Sequence, residues 1–174
     1  RGVVGTDAGT GEILWVWKNT EGERAQMAPR RGSGRGVAYW TDGREERIIT
    51  VTPGFRLVAL DAKTGLQVGG FGSAGVVDLF KEIDPKADLT GTIGNTSPPV
   101  IADNIIMVGP ALAQGARLAS MKNTKGDVMA FDVRTGRKLW QFHTIARRGE
   151  EGYETWLNGS AEYTGNAGVW TPFS

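Results

Sequence analysis

The amino-acid sequence predicts an all-β chain built from repeated antiparallel sheets, and three observations support this. Glycine accounts for 26 of the 174 residues, about twice its usual share, and the glycines lie between short apolar runs. Within these runs, as at 56–60 and 127–131, apolar and polar residues alternate, which is typical of half-buried strands. A turn pattern also recurs along the chain. Only 78–88 suggests a short helical turn.

The recurring turn pattern is A-x-D-x-x-T-G-x-x-x-W. Three segments share most of it, and their aspartates are Asp7, Asp61 and Asp132, which are 54 and 71 residues apart. Asp and Thr side chains hydrogen bond to nearby backbone in tight turns, and Gly permits a positive φ. The tryptophan of the pattern is Trp15 in the first segment and Trp140 in the third, whereas the second has glycine there. Each interval suits one four-stranded sheet and a variable loop.

Strands that recur at a sheet-sized interval indicate a β-propeller or a solenoid, and the tryptophan of the repeat favours the propeller. We expect both tryptophans to pack between neighbouring sheets. About three repeats cannot close a ring, so residues 1–174 are interpreted as a partial propeller domain. Its repeats end near 7–17, 59–71 and 130–142, and a long loop region follows at 143–174.

Composition excludes several classes of function. The 20 basic and 19 acidic residues are mixed along the chain and give a net charge of +1, so no basic stripe for nucleic acid is present. The absence of cysteine excludes disulfides, thiolate metal sites and cysteine nucleophiles. No apolar stretch approaches the length of a membrane-spanning helix.

Four further stretches narrow the interpretation. They read GRGVAYW at 34–40, NTSPPVI at 95–101, FHTI followed by GE and GYETW within 142–156, and YTGNAGVW at 163–170. Together with the repeat, and in this order, they resemble the pyrroloquinoline-quinone (PQQ)-dependent dehydrogenases, the quinoprotein glucose and alcohol dehydrogenases. The resemblance covers nearly the whole chain.

The resemblance implies a segment of about three blades from an eight-bladed β-propeller of four-stranded antiparallel sheets. PQQ would lie near the propeller axis and a calcium ion would hold it. The reaction would be oxidation of an alcohol or sugar hydroxyl, with electrons passed to a quinone or cytochrome acceptor. It also implies a periplasmic location and contacts with further blades of the same protein, and the region 143–174 would face the cofactor.

Four residues are expected to bind the cofactor by this resemblance. Trp170 would lie flat against the quinone ring, and the small run that contains Asn166 would let the backbone approach it. Arg35 would bind one of the three cofactor carboxylates through its guanidinium fork, and Thr96 would give a hydroxyl to a carboxylate. The structural alternatives are a core tryptophan, an arginine in a surface ion pair, and a threonine that caps a strand end.

Gln114 is the candidate metal ligand. It falls in a small-residue loop where many relatives have a calcium-binding glutamate, and an amide oxygen can bind calcium without supplying charge. An exposed loop residue is the alternative. His143, the only histidine, is either an acid–base or orienting group in a substrate funnel or a structural residue. Glu154 and Trp156 are expected to fix the loop after the third repeat, with a role as general base as the alternative for Glu154.

No catalytic base is named in this chain. The aspartate that serves as the base in the family lies downstream of the T-G-N-x-x-W segment, and this chain continues for only four residues after Trp170. Asp61 and Asp132 are assigned to the repeat turns. We therefore expect residues 1–174 to be inactive by themselves.

Two interpretations from different classes remain open at this point. The first is a dehydrogenase segment. The absence of adjacent cysteines before 34–40 resembles the glucose-dehydrogenase side of the family or an uncharacterised branch of it, and the substrate stays undecided. The second is a non-enzymatic periplasmic scaffold like the propeller lipoprotein that assists outer-membrane protein assembly. The scaffold would share the repeat but would not need Arg35, the long loop or Trp170.

Overall fold

The computed structural model describes residues 2–29, 36–83, 91–113 and 123–172. Strands dominate, and each described helix is a single turn. The strands are β1 (Gly2–Thr6), β2 (Ile13–Lys18), β3 (Ala38–Thr41), β4 (Glu46–Val51), β5 (Arg56–Asp61), β6 (Val76–Asp78), β7 (Ile93–Gly94), β8 (Val100–Ala102), β9 (Ile105–Val108), β10 (Ala111–Leu112), β11 (Val128–Asp132) and β12 (Lys138–Phe142). The helices are α1 (Glu23–Gln26), α2 (Leu79–Glu82) and α3 (Ser160–Tyr163), with 3-10 turns at Tyr153–Thr155 and Leu157–Gly159.

These strands form antiparallel sheets that follow one another along the chain. The first sheet pairs β1 with β2, the second has the order β3-β4-β5-β6, and the third has the order β8-β9-β11-β12. A short ribbon pairs β7 with β10. The predicted all-β class with four-stranded antiparallel sheets is confirmed, and α2 is the helical turn expected within 78–88.

Each repeat turn is closed by one set of hydrogen bonds. In the second sheet the Oδ1 atom of Asp61 accepts hydrogen bonds from the backbone N–H of Lys63 (3.1 Å) and from the N–H and hydroxyl of Thr64 (both 2.8 Å). The N–H of Gly65, whose φ is +71°, donates to the Asp61 carbonyl at 2.9 Å. The turns in the first and third sheets repeat these contacts. The Thr64 hydroxyl is the main cause that holds the pKa of Asp61 below its usual value.

An aromatic side chain joins the first sheet to the second at such a turn. Trp15 on β2 lies across the turn of the second sheet, where its Nε1 atom donates to the Ala62 carbonyl at 3.0 Å. A Cβ atom on Gly65 would lie 2.4 Å from the six-membered ring of Trp15. The prediction that Trp15 packs between sheets is therefore confirmed, and the contact requires glycine at this point of the turn.

Phe71 makes the equivalent contact between the second and third sheets. It is fully buried, and a Cβ on Gly136 in the third turn would lie 3.2 Å from its ring. Close by, the N–H of Gly72 donates to the Thr135 carbonyl at 2.8 Å. Phe71 lies two residues beyond Gly69, where the repeat pattern places tryptophan, so the pattern did not identify it.

The prediction that Trp140 packs between sheets is wrong for this chain. Its side chain lies on β12 and is 42% exposed. Trp15 and Phe71 are each covered by the turn of the following repeat. The part of the chain that the structure describes contains no repeat turn after the one that Asp132 begins.

The hydrophobic core lies between the second and third sheets. Its fully buried members include, from both sheets, Ile49, Leu57, Ile106, Val108, Met129 and Phe131. At the edge of this core the buried Arg47 on β4 donates to the carbonyls of Val133 (2.9 Å) and Arg134 (2.7 Å) in the third turn. The two four-stranded sheets are thus one packed unit, and the loops described below rest on it.

Two glycines with a positive φ in turns of the second sheet allow the aromatic contact to be tested. Gly65→Ala should lower the free energy of unfolding more than Gly43→Ala, by an additional amount of about 1–3 kcal/mol for a side chain forced into a packed contact. Both residues have a positive φ, +71° and +86°, so the backbone strain is shared. A Cβ on Gly43 meets nothing within 4 Å, whereas one on Gly65 overlaps Trp15. Urea unfolding of the full-length protein measures both, and equal losses would contradict the docking role of Trp15.

Candidate functional site

Trp170 presents an exposed ring on a backbone that is held in place. Its side chain is 59% exposed. Its carbonyl oxygen accepts two hydrogen bonds of 2.6 Å, one from the Thr96 hydroxyl and one from the Ser97 hydroxyl. The structure therefore brings together two of the residues expected to bind the cofactor, Thr96 and Trp170, which are far apart in the sequence.

The segment that leads to Trp170 lies along residues 123–126. The N–H of Asn123 donates to the Tyr163 carbonyl at 3.0 Å, and the Thr124 carbonyl accepts from the N–H of Asn166 at 2.9 Å. Glycines allow the two backbones to touch: a Cβ on Gly165 would lie 2.4 Å from the oxygen of Thr124. The small residues of the T-G-N segment therefore serve backbone packing against 123–126.

The side chain of Lys125 holds the start of the segment that leads to Trp170. Its ammonium group donates to the carbonyl of Ala161 at 2.5 Å and to the carbonyl of Thr164 at 2.9 Å, at the end of α3. Burial, followed by the charge of Arg147, lowers the pKa of Lys125. A partly buried cation thus satisfies carbonyls that a one-turn helix leaves without intrahelical partners.

Asn166 takes the left-handed conformation, with a φ of +63°. Asparagine tolerates this conformation better than most residues, which accounts for its place between two small residues. Its amide Nδ2 atom donates to Oδ1 of Asn123 at 2.9 Å, and its side chain is exposed. The structure thus assigns Asn166 a turn-forming role and leaves its predicted contact with the cofactor as a prediction.

Asn95 is a buried polar residue that sequence reasoning did not single out. It follows β7 directly and precedes Thr96, and its Nδ2 atom donates to the Gly109 carbonyl at 3.1 Å. Its Oδ1 atom is buried and accepts no hydrogen bond from the residues that the structure describes. An amide oxygen in this state can accept a donor or coordinate a cation.

Two predicted site residues lie outside the described part of the chain. These are Arg35, the predicted carboxylate ligand, and Gln114, the predicted metal ligand. The next described residue after Arg35 is Gly36, where a Cβ would contact the Pro98 ring at 3.4 Å. The GRGVAYW stretch therefore reaches the NTSPPVI stretch that carries Thr96.

His143 contacts the loop that follows the third sheet. Its Nδ1 atom lies 2.6 Å from Oε1 of Glu150, and Oε2 of Glu150 accepts from the N–H of Arg147 at 2.6 Å. The hydrogen bond from the Arg147 N–H, followed by that with His143, holds the pKa of Glu150 below its usual value. The geometry favours the structural role for His143, because its hydrogen bond closes its own loop.

Other contacts fix the same loop. Buried Asp127 accepts from Nη2 of Arg147 at 2.6 Å and from the N–H of Thr144 at 3.1 Å. The hydroxyl of Tyr153 donates to Glu162 at 2.6 Å. Glu154 is exposed and Trp156 is half-buried, so their role in fixing the loop stays a prediction.

Within the described residues, no three histidine or carboxylate side chains gather as a metal-binding group. Among the same residues, no helix is long and apolar enough to cross a membrane.

Comparison with known proteins agrees with this architecture. The family model described as "PQQ: Glucose/ethanol/alcohol dehydrogenase, beta-propeller domain" matches residues 1–174. The chain belongs to this family. Its sheets are therefore blades of a quinoprotein β-propeller, and membership of a dehydrogenase family favours the dehydrogenase interpretation over the scaffold.

Two curated relatives illustrate the match. The quinoprotein glucose dehydrogenase of Gluconobacter oxydans is 33% identical over 153 residues, which cover 78% of this chain and 18% of that protein. The dehydrogenase subunit of the quinone-type alcohol dehydrogenase from the same organism is 33% identical over 141 residues, with 80% and 16% covered. The chain thus spans less than a fifth of the length of these relatives.

Among solved structures, this chain is similar to the quinohemoprotein alcohol dehydrogenase ADHIIG of Pseudomonas putida HK5. The match covers 99% of this chain and 24% of that chain. The TM-score is 0.70 and the sequence identity is 23%. At this identity the likeness concerns the fold, and it supports the interpretation of the sheets as a propeller segment.

Three residues that contact or flank the candidate site were not revealed by the motifs, namely Asn95, Ser97 and Lys125. Asn95 and Ser97 flank Thr96 inside the recognised NTSPPVI stretch, so polar residues next to a motif position were the available signal. Nothing around Lys125 indicated that its ammonium group would hold α3.

Lys125→Met should loosen the segment that leads to Trp170. Two carbonyls lose a charged donor, and a loss of about 1–2 kcal/mol in local stability corresponds to roughly tenfold faster amide exchange. Hydrogen exchange measured by mass spectrometry on peptides covering 160–170 of the full-length protein would report this. Lys138→Met is the matched control, because the Lys138 ammonium also donates to a backbone carbonyl, that of Glu82, on another part of the chain. Equal exchange at 160–170 in both variants would contradict the anchoring role.

Proposed function

We propose that this chain forms one wall of the PQQ site in a periplasmic oxidoreductase. The full-length protein would oxidise an alcohol or sugar hydroxyl and pass electrons to a quinone or cytochrome acceptor. The observation that carries the proposal is the indole of Trp170, which is exposed while its backbone is hydrogen bonded to neighbouring residues. Family membership supplies the class of cofactor.

The residues around Trp170 fit a planar, anionic ligand. A broad and exposed π-face suits a flat aromatic ring, and a rigid backbone beneath it reduces the ordering that binding requires. Thr96 is half-buried, its hydroxyl donates to the Trp170 carbonyl, and in the bound state this hydroxyl would donate to a cofactor carboxylate. Arg35 would supply the charged partner of a carboxylate, as the family resemblance implies.

Calcium is the second group in the proposal, with Gln114 as its ligand from this chain. The neutral amide oxygen of glutamine is a weaker ligand than a carboxylate, so further oxygen ligands must come from the cofactor or from other blades. Among the described residues, Asn95, which precedes Thr96, has a buried Oδ1 atom without a hydrogen-bond partner. Its donor chemistry suits a calcium ion.

When bound, PQQ would supply the two-electron oxidising capacity of the enzyme. This chain would bind the ring, orient it and exclude water from the face that Trp170 covers. The carboxylates of Asp61 and Asp132 are engaged by their own turns and are not assigned as a base. The base that accepts the substrate proton is expected downstream of Trp170, and the substrate class remains an alcohol or a sugar.

Trp170→Ala should weaken PQQ binding by roughly ten- to a hundredfold, because aromatic stacking contributes about 1–3 kcal/mol per ring. Trp170→Phe keeps a flat ring and should lose less. Titration of the apo full-length protein with PQQ, with and without calcium, measures the affinities. Wild-type protein that binds no PQQ at any calcium concentration would overturn the proposed function and return the scaffold as the better hypothesis.

Arg35→Ala should also weaken PQQ binding by roughly ten- to a hundredfold, since a hydrogen bond to a charged group contributes about 1.5–3 kcal/mol. Arg31→Ala is the matched control from the same basic stretch and should leave the affinity unchanged. The same titration compares them. Wild-type affinity in both variants would remove Arg35 from the site.

A further inference from the structure

The carbonyl oxygen of Trp170 has two hydroxyl donors, although the side chain of this residue is exposed. A carbonyl oxygen has two lone pairs, and here the Thr96 and Ser97 hydroxyls occupy both at 2.6 Å. The donors differ in their surroundings: Ser97 is buried at 6% exposure, whereas Thr96 is half-buried. Ser97 is therefore the donor that a bound ligand would not reach.

The backbone on both sides of Trp170 is also restricted. Upstream, Gly168 touches Gly126, where a Cβ on Gly126 would lie 2.6 Å from the Gly168 Cα. Downstream, residue 171 precedes Pro172, which disfavours helical conformations at 171. With the carbonyl of Trp170 fixed as well, the two side-chain torsions of the indole are its main remaining freedom.

We propose that Ser97 is a positioning residue for Trp170: its hydroxyl keeps the Trp170 carbonyl bonded and thereby presets the indole as a platform for a flat ligand. This inference rests on the proposed PQQ site, and it adds a residue that never touches the ligand.

The first test needs no ligand. In apo full-length protein, the fluorescence anisotropy due to Trp170 is obtained by subtracting the signal of the matching Trp170→Phe protein. Ser97→Ala should lower this anisotropy, and Ser97→Thr, which keeps a hydroxyl, should restore it towards the wild-type value. The control is Thr41→Ala, because the Thr41 hydroxyl also donates to a backbone carbonyl, that of Glu45 at 2.8 Å, in an exposed turn of the second sheet. It should leave the anisotropy unchanged.

The second test is a double-mutant cycle on PQQ affinity. Ser97→Ala should raise the dissociation constant about three- to tenfold, the range expected for one lost hydrogen bond. In a Trp170→Ala background the same change should have no further effect, because a positioning residue acts only through the residue it positions. A merely structural serine would weaken binding equally in both backgrounds.

The outcomes separate this inference from the proposed function. If wild-type protein binds no PQQ, the proposed function fails, while the apo anisotropy still reports whether Ser97 holds Trp170. If wild-type protein binds PQQ but Ser97→Ala has wild-type anisotropy and affinity, the positioning role is overturned and the PQQ site stands. Equal effects of Ser97→Ala with and without Trp170 would also overturn it.

Discussion

The stacking of an aromatic ring on the glycine of the next repeat turn is the contact on which the arrangement of the sheets depends. Trp15 makes it between the first and second sheets, and Phe71 makes it between the second and third. The turn beneath the ring is stiff because an aspartate and a threonine satisfy its backbone. A stiff turn without a Cβ offers a flat place where a large ring can lie and bury its surface.

Trp170 is attached to these packed sheets through two neighbouring parts of the chain. The β7–β10 ribbon carries the polar run from Asn95 to Ser97, and the segment 123–126 enters β11 of the third sheet. Trp170 is held between these two places, by hydroxyls on one side and by glycine packing on the other. The exposed ring is thus an extension of the rigid sheets, which is the arrangement a binding platform requires.

The sequence predicted well the features that residues close together in the chain determine, namely the repeat turns and the strands. The repeat turns follow from Asp61, Thr64 and Gly65, which lie within five positions of one another, and the strands follow from local alternation. The repeat pattern did not identify Phe71 because an irregular stretch shifts the docking residue by two positions. The prediction for Trp140 was wrong because burial of its side chain depends on a further repeat turn. The bonds from Thr96 and Ser97 to Trp170 join distant parts of the chain, where only the family resemblance gave guidance.

The self-sufficiency of the repeat turns has a consequence for the order of folding. Each turn closes through contacts between residues at most five positions apart, such as the Gly65 N–H with the Asp61 carbonyl, so it can form quickly and early. The docking of Trp15 on Ala62 joins residues 47 positions apart and must come later, when the sheets meet. Burial of the Trp15 indole therefore reports the assembly of neighbouring sheets, and it does not change while the individual turns form.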